Sequence, residues 1–141
     1  MTRIDHLGIA VESIAQARAF YEALGLQIEH EEVIPHEQVR TAMLPIAGSR
    51  IELLEPTTPD SAVARFLKKR GPGLHHVALR VDDIAATLAS LKANGTRVIS
   101  EEIQTGAGDH LYFFVHPASA GGVLLEICQD INPGALPELG E

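Results

Sequence analysis

Residues 5–28 read DHLGIAVESIAQARAFYEALGLQI, and residues 75–98 read HHVALRVDDIAATLASLKANGTRV. Set 70 residues apart (6 against 76), the two stretches align without a gap. His6 falls on His76, Val11 on Val81, Ile14 on Ile84, Ala15 on Ala85, Ala19 on Ala89, Ala23 on Ala93 and Gly25 on Gly95. Such self-similarity means that one supersecondary unit is used twice. Each copy opens as a strand, with small or apolar residues alternating with others. It turns at a polar pair, Glu12-Ser13 or Asp82-Asp83, and continues as a helix. In the first copy Ser13 and Gln16 form a capping box, Ile14, Ala17, Phe20, Tyr21 and Leu24 form an apolar stripe, and Gly25 suits the C′ position. In the second, Asp83 caps, Ile84, Leu88 and Leu91 face the core, and Gly95 ends the helix.

Strand-like runs follow each helix: about 27–34, 39–46 and 50–55 in the first half, and about 97–103, 111–116 and 122–128 in the second. Each half therefore reads βαβββ, an α+β pattern. We expect one domain over 1–141, with module one at about 3–56, a linker at 57–72 and module two at about 73–130. Ser61–Arg70 reads as a short linker helix capped by Asp60 or Ser61 and stopped by Gly71. The last residues, 131–141, are rich in Pro, Gly and Glu, have little to bury, and are expected to form a loose tail.

Composition narrows the function classes. Of 141 residues, 45% are hydrophobic and 21% charged, enough to bury a core. No apolar run approaches a membrane span, and the start lacks the apolar region of a secretory leader. A single cysteine, Cys128, allows no internal disulfide and fits a reducing cytoplasm. A net charge of −8 argues against nonspecific nucleic-acid binding and anionic membranes, though not against an anionic small molecule. Seven histidines without a tryptophan direct attention to metal or acid–base chemistry.

The last strand of each half carries a carboxylate: Glu52 in Ile51-Glu52-Leu53 and Glu126 in Leu125-Glu126-Ile127. Each half thus offers one His on its first strand and one Glu on its last. Successive strand side chains point to opposite faces, so His75 and His76 cannot both face one cleft. The repeat selects His76, the match of His6. Gly8 and Ala78 lie two residues beyond, on the same face, and are small. A strand Glu between apolar neighbours is costly unless paired or ligating a cation. Any one of the four residues alone reads best as ordinary surface. Four at matched positions point to one divalent metal held by His6, Glu52, His76 and Glu126.

These residues resemble the vicinal oxygen chelate superfamily, which includes glyoxalase I, and within it most closely the methylmalonyl-CoA epimerases. The resemblance rests on IDHLGIAV (4–11), IELLEP (51–56), FLKKRGPGLHHVALRVDDI (66–84), His116-Pro117 and GGVLLE (121–126), and covers residues 3–129. It implies two βαβββ modules forming a curved mixed sheet around a metal-binding cleft. It also implies one ion of cobalt, manganese, nickel or zinc on the same four residues, an acyl-CoA substrate and a cytoplasmic homodimer. The chain departs from the family in places. Pro35-His36-Glu37-Gln38-Val39 lacks a glycine common before the third strand, and Thr41 stands where some relatives carry a Glu. Leu111 and Ala118 stand where relatives tend to have Arg and Lys. His110, Arg40, Arg50, Lys68, Lys69 and Arg70 are possible replacements for that charge, though each singly reads as surface.

The activity so implied is epimerisation of methylmalonyl-CoA between its 2R and 2S forms, by loss and return of the α-proton through an enolate. Such a reaction needs an acid and a base on opposite faces of that plane. Glu126 is the candidate for one, while Glu37 is a weak candidate for the other. Small residues suited to lining the site are Gly8, Ala10 and Ala78, and Tyr112 reads as core. The competing readings are a glyoxalase-like lyase acting on a thiol adduct, a ring-cleaving dioxygenase with an open iron site, and a binding module without the metal set. Glu52 as a fourth ligand argues against the dioxygenase.

Overall fold

The structure, a computed structural model, describes residues 2–106 and 109–130. In chain order the elements are β1 (Arg3–Ala10), α1 (Ile14–Ala23), β2 (His30–Ile34), β3 (Val39–Ile46), β4 (Ser49–Pro56) and α2 (Ala62–Arg70). They continue with β5 (Gly73–Arg80), α3 (Ile84–Ala93), β6 (Gln104–Thr105), β7 (His110–Val115) and β8 (Leu125–Asp130). The chain divides into two compact units. One holds residues 6–75; the other holds residues 76–130 together with strand residues 3–5. The expected tail, 131–141, lies outside the described residues.

Within the first unit the strand order is β2-β3-β4-β1. The hairpins β2/β3 and β3/β4 are antiparallel, and β4 returns to lie parallel to β1. Helix α1 covers one face, burying Val11, Ile14, Ala42, Leu44 and Leu53. Helix α2 covers part of the other, with Ala10, Val39, Leu54, Val63 and Leu67. The second unit repeats the plan in the order β5-β8-β7-β6, with β5/β8 parallel and the rest antiparallel. Its helix α3 buries Val81, Ile84, Leu88, Phe113, Val115 and Ile127.

The joints between strand and helix are duplicated bond for bond. The Val11 N–H donates to the Leu54 carbonyl, and Val81 does the same to Cys128, each at 2.9 Å. Ser13 and Asp83 accept from the amides of Gln16 and Ala86 as N-caps. The first amide of each helix reaches the last strand: Ile14 N–H donates to Glu55 Oε1 at 2.7 Å, and Ile84 N–H to Gln129 Oε1 at 2.8 Å. Both helices end alike, with Leu26 N–H on the Tyr21 carbonyl and Thr96 N–H on the Leu91 carbonyl. That closure needs a left-handed residue, and Gly25 and Gly95 supply it at φ of 94° and 80°.

Several expected details are corrected. The run 97–103 is not a strand; Val98 makes one isolated bridge to Val115, and regular pairing begins only at Gln104. There the Ser100 hydroxyl takes the Glu102 N–H, a local turn that competes with ladder formation, and both Glu101 and Glu102 are exposed. Strand β8 starts at Leu125, not 122, because Gly121 and Gly122 lie at φ of 70° and 90°. Strand β2 starts at His30 rather than 27. The stripe on α1 is narrower than read: Phe20 and Leu24 are 64% and 63% exposed. Ser61, rather than Asp60, caps α2, accepting from Ala64 N–H. Gln38 takes the left-handed conformation, φ 56°, that the missing family glycine would adopt freely, and its side chain accepts from the Thr58 hydroxyl.

The paired helix starts generate a prediction. Glu55→Ala and Gln129→Ala each leave one first-turn amide without its acceptor. Glu55→Ala is expected to cost about 1–2 kcal/mol, and Gln129→Ala about 0.5–1, because a carboxylate also complements the positive end of the helix. Urea denaturation monitored by circular dichroism checks both the values and their order.

Candidate metal centre

Strand register brings each His to its Glu. In the first unit Gly8 sits opposite Glu52 across the parallel β1/β4 pair, so His6, two residues earlier, shares the face of Glu52. His6 Nε2 lies 3.4 Å from Glu52 Oε1. In the second unit Ala78 sits opposite Glu126, and His76 Nε2 lies 3.3 Å from Glu126 Oε1. All four side chains are buried, with residue exposures of 2% and 8% for His6 and Glu52, and 4% and 6% for His76 and Glu126. The parity argument against His75 holds: its ring packs edge-on against Phe66 of α2, 5.1 Å between centroids.

The donor chemistry fits a divalent ion. Each pair offers one imidazole nitrogen and one carboxylate oxygen, the set that suits zinc, cobalt, nickel or manganese over a thiolate-loving ion. Two ligand atoms about 2.1 Å from one ion stand roughly 3.0–3.4 Å apart at angles of about 90–110°. The measured 3.4 and 3.3 Å match that spacing.

The two faces differ in what surrounds the pair. In the first unit Met43 sits opposite Glu52 and Thr41 opposite Leu54, which puts the buried Thr41 on the Glu52 face. Ala10, opposite Leu54, shares the Glu52 face and packs in the apolar cluster beneath α2. Glu37, the weak acid–base candidate, ends the 3-10 turn Pro35–Glu37 and is half-buried, off the strands that carry the four ligands. In the second unit the same face is polar and aromatic. Phe114 sits opposite Glu126 and meets the His76 ring edge-on at 5.8 Å. Tyr112 is buried as expected, and its hydroxyl donates to Gln104 at 3.4 Å.

Here the structure adds residues that the sequence reading did not connect. His110 places Nε2 2.8 Å from Glu126 Oε2 and Nδ1 3.1 Å from Asp130 Oδ1. Asp130 Oδ2 lies 3.7 Å from Arg80, whose guanidinium holds the fully buried Asp5 at 2.6 Å. Burial works against a charged His110 ring, but the hydrogen bonds to Asp130 and Glu126 outweigh it and raise its pKa to about 9. Burial, then the neighbouring carboxylates, push the Cys128 thiol far upward. The signal for this network was strand parity: Glu126, Cys128 and Asp130 alternate onto one face of β8. The other charges weighed as replacements fall elsewhere. Arg40 pairs with Glu31 and Glu55, while Lys68, Lys69 and Arg70 are exposed at the end of α2.

Comparison with known proteins agrees with this architecture. Residues 5–114 match the family model of the glyoxalase/bleomycin resistance protein/dioxygenase superfamily. The mitochondrial methylmalonyl-CoA epimerase of Bos taurus is 37% identical over 129 residues, covering 90% of this chain and 74% of that protein. The ethylmalonyl-CoA/methylmalonyl-CoA epimerase of Cereibacter sphaeroides is 35% identical over 130 residues, covering 90% and 97%. Among solved structures, a methylmalonyl-CoA epimerase in complex with methylmalonyl-CoA and NH4+ matches with a TM-score of 0.88 at 39% identity, covering 93% of this chain and 96% of that one. Two βαβββ units, each carrying its buried His–Glu pair, are the vicinal oxygen chelate fold, and the chain belongs to the methylmalonyl-CoA epimerase family of that superfamily.

Proposed function

We propose that the chain epimerises methylmalonyl-CoA at C2 and that His6, Glu52, His76 and Glu126 together hold one divalent ion per subunit. The observation that carries this reading is the duplicated buried His–Glu pair, 3.4 Å in one unit and 3.3 Å in the other, in a chain of epimerase ancestry. His6 and His76 ligate as neutral imidazoles, and Glu52 and Glu126 balance the ion's charge. When bound, a divalent ion at such a site supplies Lewis acidity toward the negative charge that develops on the thioester oxygen.

The remaining work falls to side chains. Glu126 accepts the α-proton from C2, which breaks the C–H bond and leaves its electron pair in the planar enolate. The opposite face must return a proton to the same carbon; that group is left open, with Glu37 as its weak candidate. Gly8 and Ala78, both small and buried, leave room for substrate beside the proposed ligands. The substrate class is an acyl-CoA whose acyl group carries a second carboxylate. A homodimer is part of the same proposal, since the edge strand β2 has exposed backbone to cover.

Three outcomes follow. The protein is expected to incorporate solvent deuterium at C2 of methylmalonyl-CoA, to stop when stripped of metal by a chelator, and to resume on adding cobalt(II). Turnover of a thiol hemiacetal without CoA dependence would sink the epimerase reading in favour of a lyase. Glu126→Gln is expected to slow deuterium incorporation about 100-fold or more while keeping bound metal, because an amide oxygen still coordinates but cannot take the proton. Glu37→Gln should lose less. Full exchange in a metal-loaded Glu126→Gln protein would remove Glu126 as the base. Light scattering at micromolar concentration should give the mass of a dimer, and a monomer alone would refute that assembly.

A further inference from the structure

The second unit breaks the internal repeat at three buried or half-buried positions on one face. Arg80 stands where the first unit has Ala10, His110 where it has Val39, and Asp130 where it has Pro56. In the first unit, Ala10 and Val39 belong to the apolar cluster under α2. At the equivalent places the second unit carries an arginine, a histidine and a carboxylate, an arrangement that is seldom more stable than apolar packing. Stability alone therefore gives no reason for the exchange, and the contacts supply another.

Those contacts lead to one carboxylate, Glu126. Glu126 presents Oε1 to His76 at 3.3 Å and Oε2 to His110 at 2.8 Å. The His110 ring is fixed at its other nitrogen by Asp130 at 3.1 Å and lies nearly parallel to the Tyr112 ring, at 26° with centroids 5.8 Å apart. Asp130 is itself within 3.7 Å of Arg80, whose guanidinium is held by Asp5 at 2.6 Å. The terminal torsion of a glutamate is soft, so an unrestrained carboxylate swings between one-oxygen and two-oxygen binding. A group that holds one oxygen decides which oxygen is offered.

The geometry points to His110 as a positioning residue that grips Glu126 Oε2, so that the carboxylate meets the metal through Oε1 alone. Asp130, Arg80 and Asp5 form the brace behind it. This rests on the proposed four-residue metal site and adds a partner that the site's own ligands do not include. His110 touches neither the ion nor the substrate in this reading; it acts through Glu126.

The test uses cobalt(II) alone, titrated into the metal-free full-length protein by calorimetry and followed by its visible absorption. His110→Ala is expected to weaken cobalt binding about 10- to 100-fold, the usual cost of losing such a support. The absorption should also fall in intensity, as a freed carboxylate binds through both oxygens and raises the coordination number. His110→Gln, whose amide N–H can still donate to Glu126, should recover most of the affinity and the wild-type spectrum. If His110→Ala does not fold, Asp130→Asn keeps the imidazole but loosens it, and should show a smaller loss in the same direction. Wild-type affinity and spectrum in these variants would overturn the inference, as would failure of His110→Gln to restore either. His76→Ala separates the two readings. If it binds cobalt as tightly as wild type, the metal site itself is wrong and this inference falls with it. If His76→Ala loses the ion while His110→Ala does not, His110 alone is refuted.

Discussion

A carboxylate buried on the face of a β-sheet has to be given a partner, and in this protein that demand is met twice in the same way. Glu52 and Glu126 each face an imidazole across a parallel strand pair, at 3.4 and 3.3 Å. Taking such a group out of water costs several kcal/mol without compensation. The rest of each unit serves to fix that encounter. A parallel partner for the first strand requires the chain to cross over a helix and return through two hairpins, which is the βαβββ plan. The helix is tied to the last strand by its first amide, at Glu55 or Gln129, three residues beyond the ligand. One turn of strand thus carries both the carboxylate that would bind metal and the acceptor that anchors the helix.

Much of this was legible in the residues because β-structure has a strict period of two. Parity alone chose His76 over His75, and the structure gives the first to Glu126 and the second to Phe66. The repeat placed Ser13, Asp83, Gly25 and Gly95 at the helix ends they occupy. What the sequence hid was set by tertiary contacts. Phe20 and Leu24 continue the helical stripe in spacing, yet neither packs in the core cluster beneath α1, and both are exposed. Residues 97–103 have strand-like composition at their ends, but a serine turn interrupts them. His110 looked like a stray surface charge because its two partners, Glu126 and Asp130, lie 16 and 20 residues away on another strand.

The two copies share a scaffold but not a filling. Beneath α2 the first unit fills its open face with Ala10, Val39, Leu54, Val63 and Leu67, an apolar plug. The second unit places Arg80, His110 and Asp130 at the matching positions, with Tyr112 stacked on His110 and edge-on to Phe114. The His–Glu pair recurs in both units, while Ala10, Val39 and Pro56 give way to Arg80, His110 and Asp130 beside it. Cys128, on the second face, behaves as a small apolar residue: burial first, and then the neighbouring carboxylates, suppress its ionisation.

Strand β1 is shared between the units, its residues 3–5 belonging to one and residues 6–10 to the other. The fully buried Asp5 finds its guanidinium on Arg80, 75 residues later in the chain. On a ribosome moving at about 5–20 residues per second, that partner emerges roughly 4–15 seconds after Asp5 itself. The first half of the nascent chain therefore waits with an acidic residue that cannot yet be taken out of water. Strand β1 is thus completed only once β5 has been made, although it precedes every other element described.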